Sequence, residues 1–341
     1  MDLVGGSKVL SEFDIIRSFF TRSAPATVLG IGDDAALIRP APGMELAISS
    51  DMLVSGRHFF EDVDPYKLGH KSLAVNLSDM AAMGARPRWA TLSLALPESV
   101  VQKDESWLRA FADGFFALAH VHRVDLIGGD TTNGPLNICV TIIGEAPEGK
   151  ALRRSGARAG DDIWVSGYLG DAALALAYQK KKIMPEPGEV EAAELEAAGL
   201  EFLMAALEMP IPRVELGQRL IGLAHSAIDI SDGLLADLGH ILECSRVAAV
   251  VRIDRILRSA AMEKHFPHPL AIECLLAGGD DYELCFTVPK SERIKVELLS
   301  REEGIPLTRI GSIEEGAGLV VLDSAGRTVT TRVKGYDHFQ V

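Results

Sequence analysis

Along the chain, apolar and polar positions follow two rhythms in turn. Ser11 and Asp14, followed by Ile15, Ile16, Phe19 and Phe20, have the spacing of a capped amphipathic helix. Residues 28–31, 46–49 and 89–96 read as strands; in the last, Thr91 and Ser93 alternate with Leu92, Leu94 and Leu96. A helix starting at Pro65, with Asp64 as its cap, runs towards Met83 and stops at Gly84, ahead of Pro87. Another, 105–120, puts Trp107, Leu108, Phe111, Phe115 and Leu118 on one face, and strands follow at 124–127 and 136–143.

The composition shifts at 145–162, a stretch rich in glycine and basic residues, and a domain boundary is expected there, giving domains 1–148 and 149–341. Beyond it come a strand (163–166), an Ala-rich helix (171–179) and a polar, acidic stretch (180–194) expected to be a surface excursion. Helix and strand keep alternating through 234–242, 282–288 and 291–302, and the chain closes with a hairpin around DSAGR, 323–327. The fold class is α/β (α+β) in both halves. A chain of 341 residues suits two domains of about 150 residues each.

Composition narrows the function. The net charge of −14 disfavours a nucleic-acid partner. No apolar run approaches the roughly 18 residues that cross a bilayer. The N-terminus has no basic start followed by an apolar stretch, so no secretion signal is expected. Cys139, Cys244, Cys274 and Cys285 are far apart and form no metal or disulfide pattern, which fits a reducing cytoplasm.

Six short segments set Asp beside Gly, Ser or another Asp at the ends of expected elements: GIGDDAA, ISSDMLVSGRH, NLSDMAAMG, GGDTT, DISDGLLADLG and GGDDYEL. Each alone is explained by a turn, a helix cap or a loop. Together they gather carboxylates that would repel one another unless divalent cations lie among them, and Mg2+ combines one or two carboxylates with waters and substrate phosphates. Glycines beside the aspartates allow close backbone approach to phosphate, and the N–H groups after Ser231 and Asp232 suit an anion. Asp79 falls on the same stripe as Leu68, Ser72, Val75 and Met83, where a carboxylate is costly unless paired or metal-bound. The competing reading makes Ser78 or Asp79 the cap of a short new helix, MAAMG. The phosphate-binding pattern GxxxxGK[ST], the protein-kinase signatures HRD and DFG, and GxSxG are all absent.

Taken in order, GIGDDAA, SSDMLVSGRHF, KSLAVNLSDMAAMGARP, LIGGDTT, RSGA, AIDISDGL, GGDDYELCFTVP and KGYDHF resemble the thiamine-monophosphate kinases, of the aminoimidazole-ribonucleotide-synthetase-like superfamily. The resemblance spans about residues 12–339. It implies ATP-dependent phosphorylation of thiamine monophosphate by a homodimer whose N-terminal domains pair through their sheets, with the active site in a cleft between the two domains. It also implies that Asp33 or Asp34, Ser49, Ser50, Asp51, Asp79, Asp130, Asp229 and Asp232 hold several Mg2+ ions. Gly129, Arg154 and Ser231 would contact the nucleotide, and His58, Asp280 and Tyr336 the thiamine phosphate. The chain departs from the family in two places. The family usually has Glu where Asp280 stands, and the VHR of residues 121–123 does not match its nucleotide-facing residues.

Three of these residues also have plainer readings. His58 suits a polar strand end, Tyr336 a packing aromatic, and Arg154 a solvated linker, although a guanidinium matches phosphate geometry and a tyrosine ring can stack on a flat heterocycle. No general base is required, because a phosphate monoester with its second pKa near 6 is already a nucleophile at neutral pH. Direct transfer without a phosphoenzyme is therefore expected. The rival readings are a sister ATP-dependent synthetase, of the selenophosphate or aminoimidazole-ribonucleotide type, and a nucleotide-binding protein without catalysis.

Overall fold

Two sheets, one in each of two units, organise the chain. In the computed structural model, residues 11–103, 105–180, 190–266, 268–331 and 335–336 are described. The first unit comprises Met1–Met80 and Arg86–Glu148, and the second Ala81–Ala85 and Gly149–Val341.

The first unit's sheet has strands β1 (Met44–Val54), β2 (Arg86–Leu96), β3 (Asp125–Asn133) and β4 (Asn137–Pro147) in the order β1-β4-β2-β3. β1–β4 and β4–β2 are antiparallel and β2–β3 parallel. A parallel pair needs a long crossover, and the helix Glu105–His122 lies within it. The period of two sorts each strand's side chains by face. Ile138, Val140 and Ile142 of β4 and Leu92, Leu94 and Leu96 of β2 are buried, whereas Leu46, Ile48 and Met52 on β1 are 38%, 64% and 55% exposed.

The helix Pro65–Ala82 begins where the sequence indicates: Asp64 Oδ1 accepts the N–H of Tyr66 at 2.8 Å. Gly84, at φ +64, follows its end in the left-handed turn that stops a helix. It runs unbroken through Ser78 and Asp79, so no separate MAAMG helix is capped there. This helix and Glu105–His122 approach at glycines. A Cβ on Gly69 would stand 2.0 Å from Phe111 O, and one on Gly114 would stand 1.9 Å from Tyr66 O.

In the second unit β5 (Asp162–Ser166), β6 (Ser226–Ile230), β7 (Ala248–Arg252), β8 (Glu283–Val288), β9 (Leu307–Glu314) and β10 (Gly318–Leu322) form one sheet, ordered β10-β7-β9-β5-β8-β6. Only β10–β7 is parallel. Its core joins Ile163, Val165, Ile228, Ile230 and Cys285 of the sheet to Leu234, Leu238 and Ile241 of the helix Leu234–Ser245. A hairpin turn closes at 323–327, where Asp323 N–H donates to Arg327 O.

Three sequence expectations need correction. Residues 28–31 make only isolated bridges, Leu29 with Leu37 and Ile31 with Asp33; Gly32, at φ +129, bends the segment into a loop. The first helix has its Ser11–Asp14 capping box, but from Ile16 to Phe20 it widens into a π-turn that buries Phe19 and Phe20. Of the supposed excursion, 181–189 lies outside the described residues, and from Val190 the chain is already helix, through Glu208. Its Ala, Glu and Leu are strong helix formers, a local preference that the charge of the segment masks.

Candidate active site

In the first unit a cavity of about 910 Å3 opens beside β3. Asp33, Asp34, Gly129 and Asp130 line it, with Ile16 and Phe20 among its apolar lining. Two of the acidic motifs, GIGDDAA and LIGGDTT, thus meet at one opening. The loop is anchored upstream of its aspartates: Asp125 Oδ2 accepts from Ala26 N–H at 2.7 Å and Thr27 Oγ1 at 3.0 Å, and Trp89 Nε1 donates to Ala26 O at 3.1 Å. Asp33 Oδ1 turns back to accept the N–H of Asp34 at 2.9 Å. Gly129 has φ +146, and a Cβ there would fall 1.8 Å from Leu92 O, so only glycine lets β3 pass this close to β2.

Asp79 is half-buried rather than buried, although its neighbours Leu77, Ser78, Met80 and Ala81 are all buried. Its Oδ2 accepts the Ser49 hydroxyl of β1 at 2.6 Å, and one pleat on, Asp51 N–H donates to Asn76 Oδ1 at 3.2 Å. Ser49 and Asp51 therefore face this helix. Ser50 faces the other way, its hydroxyl 2.9 Å from that of Thr141, so strand alternation removes its side chain from the group that the sequence suggested. His58 closes a turn: its Nδ1 accepts the N–H of Val54 at 2.9 Å, which puts the proton of a neutral ring on Nε2.

In the second unit the DISDG segment continues from β6. Asp229 is buried, and Ser231 and Asp232 are half-buried. Two more of the expected residues hang on this segment by main-chain bonds. Asp280 N–H donates to Ser231 O at 2.9 Å, and Tyr336 N–H donates to Asp232 O at 3.0 Å. Tyr282 N–H donates to Ile230 O at 2.8 Å, and its hydroxyl donates to Asp280 Oδ1 at 2.9 Å. Asp280 and Tyr282 both have positive φ, +69 and +49, a conformation uncommon for residues with a side chain and concentrated at functional loops. Arg154 is exposed, on a segment running beside β6 through the bond from Ala227 N–H to Arg153 O. Ser245 Oγ holds that segment by accepting from Gly156 and Ala157 N–H, both at 3.1 Å.

The N–H groups expected to receive an anion are already engaged. Those of Ser231, Asp232 and Gly233 all donate to Asp237 Oδ2, at 3.1, 3.1 and 3.0 Å. Burial, and then the charges of Asp229 and Asp232, push the Asp237 carboxyl up to about 7. Asp237 lies outside the residues that the motifs single out, although an acidic residue in the first turn of a helix, after a cap-type Ser-Asp-Gly, is the local signal for such back-bonding.

Carboxylate and hydroxyl oxygens dominate these groups. Among the described residues no three His, Cys, Asp or Glu side chains gather to hold a metal ion by themselves. That donor set fits Mg2+, which needs one or two carboxylates and completes its shell with water and phosphate, better than a softer metal in a closed cage. Among the described residues, no helix is long and apolar enough to cross a membrane.

Comparison with known proteins shows what this arrangement is similar to. The family described as AIR synthase related protein, N-terminal domain, matches residues 32–146. The thiamine-monophosphate kinase of Salmonella typhimurium is 44% identical over 334 residues, 96% of this chain and 98% of that protein. The crystal structure of thiamine-monophosphate kinase from Stenotrophomonas maltophilia superposes with a TM-score of 0.80 at 48% identity, over 89% of this chain and 93% of that one. A structure described as AaThiL complexed with AMPPCP and TMP superposes with a TM-score of 0.73 at 29% identity, over 96% of each chain.

Proposed function

The chain belongs to the thiamine-monophosphate kinase family, and from that premise we propose that it transfers the γ-phosphoryl group of ATP to thiamine monophosphate, giving thiamine diphosphate and ADP. One observation carries this reading: the similarity to named kinases runs through both units, whereas the N-terminal domain match alone fits the sister synthetases equally well.

The acceptor brings its own nucleophile, since a phosphate monoester is largely dianionic at neutral pH. The chain's task is to position two polyanions and offset their repulsion. Asp33 or Asp34, Asp130, Ser49, Asp51 and Asp79 of the first unit, with Asp229 and Asp232 of the second, are the proposed Mg2+ ligands. When bound, the metal supplies positive charge that neutralises the phosphate chains. Gly129, on the cavity wall, is the proposed main-chain contact to the nucleotide, Arg154 offers a guanidinium fork, and Ser231 a hydroxyl. His58, Asp280 and Tyr336 are the proposed contacts to thiamine monophosphate. The Tyr336 ring, 46% exposed, is available to stack on a heterocycle.

Transfer is direct in this reading, because the acceptor's own phosphate is the nucleophile, and rapid-quench trapping of a phosphorylated protein would overturn this. A homodimer through the first sheet is part of the proposal, supported by the exposed apolar row Leu46, Ile48 and Met52. A cytoplasmic setting is supported by four free cysteines. The deciding experiment incubates the protein with ATP, Mg2+ and thiamine monophosphate, and thiamine diphosphate is expected to appear with equimolar ADP. ADP formed only with the acceptors of the sister synthetases, or with none, refutes the assignment.

A further inference from the structure

We infer that Asp237 is a positioning residue for this active site, acting as a built-in hydrogen-bond acceptor that shapes the loop carrying Ser231 and Asp232. The inference rests on the proposed kinase reading for the roles of those two residues; the geometry is independent of it. Three consecutive backbone N–H groups converge on one oxygen of a buried carboxylate, at 3.1, 3.1 and 3.0 Å. Such a concave run of amides commonly binds a phosphate or another anion. Here the protein fills it from its own first helical turn, so phosphate must be held by other donors.

What the carboxylate fixes extends past the loop. With the amides of 231–233 drawn to one side, the carbonyls of Ile230, Ser231 and Asp232 are left to accept from Tyr282, Asp280 and Tyr336 on other segments. The residues proposed for metal, nucleotide and acceptor are thereby referred to one short stretch of main chain, and Asp237 sets that stretch. Close packing allows little slack: a Cβ on Gly233 would stand 2.7 Å from the backbone of Ala277, and one on Gly279 would stand 2.4 Å from Ser231 O. Asp237 touches no substrate in this scheme. It acts through the loop, as the one acceptor shared by three consecutive main-chain N–H groups.

The test compares wild type, Asp237→Asn and Asp237→Ala by hydrogen exchange and by steady-state kinetics. Asparagine keeps an acceptor of the same shape without the charge; alanine removes it. In the protein alone, amide exchange over 231–233 is expected to quicken in the order wild type, Asn, Ala, by about tenfold or more for Ala, with exchange in β5 and β8 unchanged. In turnover, the KM for Mg2+·ATP and that for thiamine monophosphate are expected to rise together in the same order. Unchanged loop exchange in either variant overturns the inference, as does loop exchange that quickens only in step with the sheet. If alanine prevents folding, the asparagine variant decides alone. Wild type failing to phosphorylate thiamine monophosphate would sink the kinase reading and leave the exchange result to judge Asp237.

Discussion

Gly128 and Gly129 are adjacent in β3 and ought to respond oppositely to the same added methyl group. At Gly129 an alanine meets two costs. Its φ of +146 lies in a region that residues with a Cβ rarely occupy, worth about 1–3 kcal/mol. Its Cβ would also stand 1.8 Å from Leu92 O, more than an ångström inside any real contact, and Leu92 is its partner in the β2–β3 ladder. Strands paired at about 4.8 Å cannot part by that much and stay bonded, so roughly two ladder hydrogen bonds are lost, at about 1 kcal/mol each. The total is about 3–5 kcal/mol, a large share of the roughly 5–15 kcal/mol that holds a domain folded. At about 2–4 °C per kcal/mol, Gly129→Ala should melt some 10 °C below wild type. At Gly128 a Cβ meets nothing within 4 Å and φ is not positive, so Gly128→Ala should melt at or slightly above wild type. Thermal unfolding by circular dichroism of the three proteins is sufficient. Equal melting of the two variants, or a greater loss at Gly128, would refute the reasoning.

Other expectations rest on separate features. Asp171 accepts the Ser259 hydroxyl at 2.6 Å, and burial pushes its carboxyl up to about 6 from 3.8. Between those values the folded protein keeps a proton that the unfolded chain has lost, so stability falls as pH rises from about 4 to 6, by up to about 3 kcal/mol. Asp171→Asn should therefore flatten urea-midpoint curves across that window; curves parallel to wild type would show that Asp171 does not titrate there. Asp79→Asn and Asp130→Asn should each lower turnover at limiting Mg2+ by about 100-fold or more with little change in melting, while Ser49→Ala, which removes a proposed ligand hydroxyl that also donates to Asp79, should cost about tenfold or more. Near-native rates at low Mg2+ would remove that residue from the metal site. Arg213 pairs through Nε and Nη2 with both carboxylate oxygens of Glu283, and Arg213→Met, which leaves the buried carboxylate without its cation, should destabilise by about 3–5 kcal/mol in chemical denaturation, more than Glu283→Gln.

Much of the fold is written locally. Asp64, Pro65 and Gly84 mark both ends of a helix by cap and stop chemistry, and the Leu92–Leu94–Leu96 alternation marks β2, because neither signal depends on distant residues. Where local and distant terms compete, reading by pattern fails. The 28–31 segment has strand-like residues but no strand beside it, and 190–194 has enough charge to look like a loop and enough helical preference to be a helix. For the candidate site, the Asp-Gly and Ser-Asp motifs supply the candidates, whereas their grouping comes from pairing register. Strand alternation separates Ser50 from Ser49 and Asp51, and a main-chain carbonyl, invisible to any motif, brings Tyr336 to Asp232. Asp237 carries no motif for a similar reason: its partners are amides, which every residue possesses.

The docking of Gly335–Tyr336 uses atoms common to all amino acids: an amide on a carbonyl, and a glycine so close to Ala236 that a Cβ would stand 2.4 Å from that residue's own. Attachment and chemistry are thus separate properties of this position. Descendants of the chain can exchange the ring at 336 for another side chain without relocating it, because nothing in its attachment depends on which side chain stands there.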